Sequence, residues 1–163
     1  MKLVVTGHDE MGKSVFSFAG HPPRELHAGS YDLWSTKGAI TLPDGADART
    51  ATPIGYFPLA DETSFKIVSV PPPEAGEANL GGSLPGDVAD FFDSDDPGMH
   101  TTDTIDYVLI LSGSADLELD DGAQERVVAG DVVVQRGTRH AWRVTGTVPL
   151  VLGAVLIGAE RQR

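Results

Sequence analysis

Glycine and proline recur along this chain at short intervals, with 19 glycines and 11 prolines among its 163 residues. Both residue types interrupt helices and favour turns, and no convincing stretch shows the 3.6-residue apolar spacing of an amphipathic helix. Short β-rich runs separated by turn residues predict an all-β sandwich or barrel. The predicted strands cover residues 3–6, 14–18, 31–35, 64–70, 106–112, 115–119, 124–128, 131–135, 141–144 and 150–157.

The clearest local signal is a hairpin in the second half of the chain. Residues 115–119 alternate apolar and acidic side chains, as a half-buried strand does. Asp120, Asp121 and Gly122 then provide turn chemistry, and residues 125–128 return. We therefore expect two antiparallel strands here.

Composition excludes several classes of protein. The chain has no cysteine, which rules out disulfides, thiolate metal sites and a cysteine nucleophile. Its net charge of −12 is opposite to the basic footprint of a nucleic-acid binder, and it also disfavours anionic membrane surfaces. The apolar runs are too short for a membrane-spanning helix, and the first ten residues turn acidic before a signal-peptide core. We expect a cytoplasmic protein with no nucleic-acid or membrane partner.

The middle of the chain is less regular. Residues 74–98 are rich in glycine, proline and aspartate and predict a long loop with a short helix at 87–92. Five acids cluster there, namely Asp87, Asp90, Asp93, Asp95 and Asp96. We interpret them as a solvated acidic loop. A calcium site is the weaker interpretation, because the cluster lacks the register and final glutamate of an EF-hand.

Two further segments carry the side chains with chemical potential, and they flank the hairpin. The first reads GMHTTDTIDYVLILSG over residues 98–113, and the second reads GDVVVQRGTRHAW over residues 130–142. In these motifs the chain resembles the cupin superfamily of small β-barrels, over roughly residues 68–157. The positions that match the cupin pattern are His100, Gly113, Gly130, Asp131, Gly137 and His140, with Asp106 where a glutamate is usual.

The chain also departs from the cupin pattern. Thr102 stands where the second histidine of the first motif belongs, and Arg136 stands where a proline is usual. The resemblance implies a cupin-type double-stranded β-helix, or jelly-roll barrel, with an N-terminal β extension. We divide the chain accordingly into an extension at 1–66 that packs on or swaps with the barrel, a barrel at 67–158 and a polar tail at 159–163.

The same residues can be read from strand geometry alone. Ligands of one metal ion must converge within about 2.2 Å of it, whereas six residues of straight strand span about 20 Å. The chain must therefore turn between His100 and Asp106, and the intervening threonines and Asp103 suit a turn. After that turn Asp106 shares a strand face with Val108 and Ile110, and His140 shares one with Trp142. We predict that these residues and Thr102 line one small-molecule pocket.

Two histidines and a carboxylate suit Fe, Mn, Ni or Zn, so His100, Asp106 and His140 are candidate catalytic residues and metal ligands. The alternative is that Thr102 marks a lost metal site and that the histidines are hydrogen-bonded pocket residues. Asp103 is a second candidate carboxylate. The remaining histidines, His8, His21 and His27, are interpreted as turn or loop residues, one of which could supply a missing ligand.

Arg139 adjoins His140 and is the candidate for holding an anionic substrate, although a solvated pair with Arg136 at the barrel rim is the simpler interpretation.

Three functions are candidates for this chain. The chain is a metal-dependent small-molecule enzyme of oxygenase, isomerase, cyclase or dehydratase type, a non-catalytic binding module, or a structural protein. A structural role fits poorly with a pocket that contains His, Asp and Trp. We also expect a homodimer, because the apolar strands at 3–6, 14–18 and 151–157 need cover at the barrel edges.

Overall fold

The computed structural model of the chain describes residues 1–27, 29–42, 54–73, 88 and 91–162. Eleven strands occur in this part of the chain, and a single 3-10 turn, Asp120–Gly122, lies between β7 and β8. The strands are β1 Leu3–His8, β2 Ser14–Gly20, β3 Glu25–His27, β4 Ser30–Lys37, β5 Glu62–Val70, β6 Thr104–Ser112, β7 Ser114–Glu118, β8 Gln124–Val128, β9 Val132–Arg136, β10 Ala141–Val144 and β11 Leu150–Gly158.

The strands form three antiparallel sheets. The largest has the order β3-β4-β5-β11-β6-β9, a second has the order β10-β7-β8, and β1 and β2 form a separate hairpin. The hydrophobic core lies between the two larger sheets, because its buried side chains come from β5, β6 and β11 on one side and from β7, β8 and β10 on the other. The all-β prediction is confirmed.

Alternation along the strands decides which side chains face this core. On β6, Asp106, Val108 and Ile110 are buried while Tyr107 and Leu109 are exposed, as the twofold repeat of a strand requires. Strand β11 pairs with β5 on one side and with β6 on the other. The expectation that β11 lies at a barrel edge is therefore wrong, since both of its edges are hydrogen-bonded.

Each of the ten predicted strands occurs, and β3 is the one the sequence interpretation missed. Asp116 pairs with Arg126 in the predicted hairpin, which is confirmed. The domain boundary predicted at residue 66 falls inside β5, and β4 and β5 belong to the largest sheet. The predicted helix at 87–92 lies mostly outside the described residues.

The outward face of the largest sheet carries an exposed apolar row. Val155 pairs with Phe65 and Tyr107, and Tyr107 pairs with Val134, so the four side chains cross four neighbouring strands. All four are exposed. This row favours the homodimer, which stays a prediction. Within the described residues, no helix has the length and apolar character needed to cross a membrane.

Gly113 makes the tight connection between β6 and β7. Its φ is +78°, and a Cβ atom there would lie 2.5 Å from the Pro149 carbonyl oxygen and 2.9 Å from the Leu150 Cα atom. Gly122 has a similar φ of +72°, but a Cβ atom there would meet nothing within 4 Å. A side chain at either glycine would strain the backbone, but a side chain at Gly113 would also overlap with neighbouring atoms. Comparing the two positions therefore distinguishes backbone strain from steric overlap.

We predict that Gly113→Ala destabilises the fold more than Gly122→Ala does. The left-handed conformation alone costs about 1–2 kcal/mol for a residue with a Cβ atom, and this cost is common to both positions. The overlap with the backbone of residues 149–150 adds at least about 1 kcal/mol at Gly113. Urea unfolding of both variants measures the difference, and equal free energies of unfolding would contradict it.

Candidate functional site

A cavity opens between the two larger sheets, and its empty space is about 860 Å³ when the part open to solvent is counted. Most of its wall is apolar, and a few polar side chains project into it. This combination is typical of small-molecule sites. The lining residues are His27, Tyr56, Phe57, Lys66, Val68, Val70, Phe92, Gly98, His100, Asp106, Val108, Gln135, His140, Trp142, Leu152, Ala154 and Leu156.

His100 and His140 are held opposite each other by their own backbones. The His100 amide donates to the His140 carbonyl oxygen at 3.0 Å, and the His140 amide donates back to His100 at 2.9 Å. This isolated antiparallel bridge brings the two imidazole ring centres to 4.2 Å from each other. Phe92 packs against the His100 ring at 4.6 Å, and Trp142 meets the His140 ring edge-on at 6.1 Å.

The hydrogen bonds of the rings decide their tautomers. Nδ1 of His100 lies 3.1 Å from the Gly98 carbonyl oxygen, and Nδ1 of His140 lies 3.0 Å from that of Thr138. A carbonyl oxygen only accepts, so each Nδ1 carries the proton and donates it. Nε2 of each ring is left with its lone pair, and in the described part of the chain it has no hydrogen-bond partner.

Burial keeps both imidazoles neutral. It lowers the pKa of His100, although the Gly98 carbonyl and the Asp93 carboxylate oppose the change. Burial and the neighbouring His100 ring lower the pKa of His140 to about 4, against the opposing bond to Thr138. At neutral pH the pair therefore presents two uncharged acceptors to the cavity.

The chain bends between His100 and Asp106, as the sequence predicts. The Thr102 and Thr104 hydroxyls are 2.8 Å apart, so one donates to the other. Arg161 fixes the bend from outside. It pairs with the Asp103 carboxylate and donates to the carbonyl oxygens of Thr102 and Gly137, each at 3.0 Å. The residue that orders this turn thus comes from the predicted polar tail, where no sequence signal marks it.

Asp106 is a buried carboxyl group on the cavity wall. Only 8% of the residue is exposed, and its Oδ1 has no hydrogen-bond partner in the described residues. Burial raises its pKa to about 6, although a hydrogen bond with the Thr104 side chain opposes this rise. Gln135 pairs with Asp106 in the register of β6 and β9, and its buried Nε2 also lacks a partner.

The structure brings together five of the predicted site residues on the cavity wall: His100, Asp106, Val108, His140 and Trp142. The other three lie elsewhere. Thr102 is buried against Thr104, Ile110 is buried in the core between the sheets, and Arg139 is paired with Asp93. None of these three is among the described residues that line the cavity.

Arg139 is held by carboxylates rather than aimed into the cavity. Its guanidinium contacts Asp93 at 2.5 Å, Asp120 at 3.1 Å and Asp96 at 3.4 Å. Arg143 contacts Asp96 at 2.7 Å. Part of the predicted solvated acidic loop is therefore paired with arginine.

The predicted metal ligands do not form a complete donor set in the described part of the chain. Among the residues that the structure describes, no group of three or more His, Asp or Glu side chains is placed to hold a metal ion. The two histidines fit such a role, since their Nδ1 atoms are anchored and Nε2 is free, but Asp106 does not complete the set with them. A divalent metal therefore does not fit the described donors as a three-ligand site.

The polar cavity residues that the sequence analysis missed include His27, Lys66 and Gln135. The interpretation of His27 as a loop residue is wrong, because it ends β3 and lines the cavity; burial lowers its pKa. Lys66 could have been found by counting inward positions back from Val70 in steps of two. Gln135 follows a run of three valines, in which apolar and polar residues do not alternate, so the sequence does not show which positions face inward.

We predict that His100 and His140 are neutral Nδ1–H tautomers at pH 7, and that His140 remains so at pH 6. Their Nδ1 atoms donate to carbonyl oxygens, and burial lowers the pKa of both rings. Two-dimensional ¹H–¹⁵N NMR of the imidazole nitrogens distinguishes the tautomers and the charged form. A His140 ring protonated on both nitrogens at pH 6 would show this assignment to be wrong.

We predict that Asp106→Asn stabilises the protein at neutral pH. Folding raises the pKa of Asp106 from 3.8 to about 6, so the folded state binds this proton more tightly than the unfolded state. Ionisation of the carboxyl therefore destabilises the fold increasingly from pH 4 to pH 6 and by a constant amount above. The two-unit rise corresponds to at most about 3 kcal/mol.

The measurement is urea unfolding of wild type and Asp106→Asn between pH 4 and pH 8. The difference in free energy of unfolding should grow up to about pH 6–7 and then level off. The exposed Asp95→Asn serves as a matched control and should change the free energy of unfolding by less than about 0.5 kcal/mol. A flat difference for Asp106→Asn would show that this carboxyl is not buried as described.

No family model matches the chain. Among curated proteins, it is 34% identical over 146 residues to the phomopsin biosynthesis cluster protein C' of Diaporthe leptostromiformis, covering 85% of this chain and 68% of that protein. It is 34% identical over 150 residues to the phomopsin biosynthesis cluster protein D of the same fungus, with the same coverage. A segment of 49 residues is 47% identical to a cupin-domain-containing oxidoreductase of Neurospora crassa, covering 29% of this chain and 25% of that protein.

Among solved structures, the chain is similar to a Cupin 2 conserved barrel domain protein from Salinispora arenicola. The likeness has a TM-score of 0.38 and 23% identity, and it covers 60% of this chain and 63% of that one. The curated relatives carry the assignment instead: identity to the two phomopsin cluster proteins extends over most of the chain, and the cupin-domain protein matches a segment of 49 residues. The jelly-roll arrangement of strands agrees with them, and this chain belongs to the cupin superfamily.

Proposed function

We propose that this chain is an enzyme that moves protons on a small organic molecule inside the cavity, as an isomerase, cyclase or dehydratase does. The observation that carries the proposal is the pair of His100 and His140, whose Nε2 atoms have no hydrogen-bond partner among the described residues and whose rings line one apolar cavity with Asp106. Neutral imidazole accepts a proton, and a carboxyl group of raised pKa donates one.

The division of roles follows from the pKa values. His140, with a pKa of about 4, is unprotonated near pH 5 and takes a proton from a C–H bond next to a carbonyl group. Asp106, with a pKa of about 6, is still protonated at that pH and gives its proton to the carbonyl oxygen. The product is an enol. Asp106 then takes back the enol O–H proton while His140 delivers its proton to a different carbon conjugated with the enol, which completes an isomerisation and restores both groups. His100 lies against His140 and presents a second acceptor.

The biological setting is proposed from the relatives. The names of two of them place those proteins in the biosynthesis of phomopsin. We propose that the present chain likewise acts on an intermediate of a biosynthetic pathway for a natural product. This setting suits an apolar cavity, which accepts the carbon skeleton of an organic molecule. The few polar groups of the cavity then contact that molecule at a small number of atoms.

The metal-dependent form of the function is the second candidate. The free Nε2 atoms of both histidines favour it, because neutral imidazole with an anchored Nδ1 is a good ligand for Fe, Mn, Ni or Zn. The incomplete donor set of the described residues weighs against it. Metal analysis of protein purified without a histidine tag distinguishes the two forms.

The test is hydrogen–deuterium exchange at carbon. The protein is incubated in D₂O with a panel of small carbonyl compounds, neutral and carboxylate-bearing, and deuterium uptake is followed by NMR. Wild type should catalyse exchange with a maximum between about pH 4 and pH 6, because Asp106 ionises above this window and His140 is protonated below it. His140→Gln and Asp106→Asn should each lower the rate by about 10²-fold or more.

His21→Gln is the matched control. The His21 Nδ1 also lies at hydrogen-bond distance from a backbone carbonyl oxygen, that of Pro22, but the ring is not among the described cavity-lining residues. Its exchange rate should equal that of wild type. Loss of exchange on treatment with a chelator, together with about one metal ion per chain, would establish the metal-dependent form instead. No exchange by wild type, with a ligand retained in the cavity, would establish a non-catalytic binding module.

A further inference from the structure

One cavity residue plays no part in the proton transfer proposed above. Lys66, on β5, is 1% exposed and lines the cavity. Its ammonium donates to the Tyr56 carbonyl oxygen at 2.5 Å and lies 4.4 Å from the centre of the Tyr56 ring. Among the described residues no carboxylate forms an ion pair with it. A buried ammonium has three donor hydrogens, so one hydrogen bond and one ring face leave its charge incompletely compensated.

The acid paired with Lys66 in the sheet is already engaged. Asp32 pairs with Lys66 in the register of β4 and β5. Its Oδ2 accepts from Arg24 at 2.9 Å, and its Oδ1 accepts from the Ser64 hydroxyl at 3.3 Å. The Asp32 charge is thus shared with a second cation and supports Lys66 only at a distance. Burial lowers the pKa of Lys66 to about 8, so the ammonium form still predominates at neutral pH.

A second polar position lies elsewhere on the same cavity wall. Asp106 Oδ1 and Gln135 Nε2 are buried and unpartnered within the described part of the chain, and both residues line the cavity. Gln135 is only 4% exposed, so water from outside does not readily satisfy its amide. Unpartnered buried polar atoms are costly, and a ligand that bonds them removes that cost.

The register fixes how the two polar positions are spaced. Lys66 pairs with Ala154, and Ala154 pairs with Val108; Asp106 lies two residues from Val108 along β6. Two strand spacings and two residues of rise place the Lys66 and Asp106 Cα atoms about 12 Å apart. The wall between them is formed by Ala154, Val108 and Leu156, which are all apolar.

From this arrangement we propose that the cavity binds a small monocarboxylate, whose carboxylate pairs with Lys66 and whose opposite end offers an oxygen to Asp106 and Gln135. The proposal rests on the proposed function, since it names the substrate class of that same site. A phosphate ester fits less well, because Lys66 is the single Lys or Arg in the described lining and a dianion calls for more than one cation.

The orientation has a consequence for the chemistry. With the carboxylate held at Lys66, the reacting oxygen of the ligand lies at the Asp106 end of the cavity. A neutral analogue of the same shape keeps the apolar contacts and the oxygen but loses the ion pair. Discrimination between an acid and its amide is therefore the direct measure of the Lys66 contact.

The test measures equilibrium binding by isothermal titration calorimetry, with no reaction required. The probes are 6-hydroxyhexanoate and 6-hydroxyhexanamide, which differ only in the charged group. Wild type should bind the acid about 10-fold or more tighter than the amide, since a buried ion pair with hydrogen bonds is involved. Lys66→Met should abolish this preference, with the ratio falling to about one, while Lys66→Arg keeps part of it.

Lys37→Met is the matched control, because Lys37 lies on the neighbouring strand, pairs with Glu62 and is not part of the described cavity lining. It should keep the wild-type ratio. If Lys66→Met does not fold, the lowered ratio in Lys66→Arg and weaker binding of both probes in Gln135→Leu serve instead. A wild type without preference for the acid, or a folded Lys66→Met that keeps it, would overturn the proposal.

Failure of this proposal is distinguishable from failure of the proposed function. His140→Gln should lose deuterium exchange and keep the preference for the acid, because the carboxylate is proposed to pair with Lys66. Lys66→Met should lose the preference in binding, and its exchange rates on carboxylate-bearing and neutral carbonyl compounds should become more alike. Absence of exchange in wild type, with the preference intact, would disprove the proton-transfer function alone.

Discussion

Strand β11 pairs with β5 along one side and with β6 along the other, and the floor of the cavity depends on this double pairing. Paired residues of an antiparallel sheet point to the same face, so Lys66 and Asp106, which are 40 positions apart in sequence, reach one surface. A slip of one residue would turn both side chains outward and bring Phe65 and Tyr107 inward. The buried apolar side chains of β5 and β6 make that slip costly, because Val70, Val108 and Ile110 would then face solvent as well.

Inside the cavity, burial acts on every titratable group in the same direction, toward the neutral form. It lowers the pKa of His140, raises that of Asp106 and lowers that of Lys66. Local partners offset part of the penalty: the Thr138 carbonyl for His140, Thr104 for Asp106 and the more distant Asp32 charge for Lys66. These partners hold the groups in place but do not offset the whole cost of burying them. The groups are therefore able to interact with a bound molecule.

Two arginines hold one segment of the cavity wall in place. Arg139 and Arg143 contact Asp93 and Asp96, which belong to the segment that also carries the cavity residues Phe92 and Gly98. Exposed ion pairs of this kind contribute about 0–1 kcal/mol each, so their effect is on position more than on stability. They hold the segment that packs Phe92 on the His100 ring, opposite the bridge to His140. Arg139 thus acts on the site through this segment.

Much of the architecture could be predicted from local patterns. Turn residues and alternation located ten strands and the 115–128 hairpin, because both signals depend on neighbouring residues alone. The motif residues His100, Asp106 and His140 were assigned to one cavity for the same reason: parity within each strand is local. The bend between His100 and Asp106 followed from the length of an extended chain.

The amino-acid sequence by itself determined the all-β class, the inward parity of β6 and the presence of two histidines and a carboxyl in one pocket. Tertiary structure alone decided the position of β11 between β5 and β6, the cavity roles of His27, Lys66 and Gln135, and the engagement of Arg139 with aspartates. Each of these depends on pairing between distant strands or loops, which no local pattern encodes. The distances among His100, Asp106 and His140 belong to the same class, because the position of a side chain across a sheet is set by register and packing rather than by spacing along the chain.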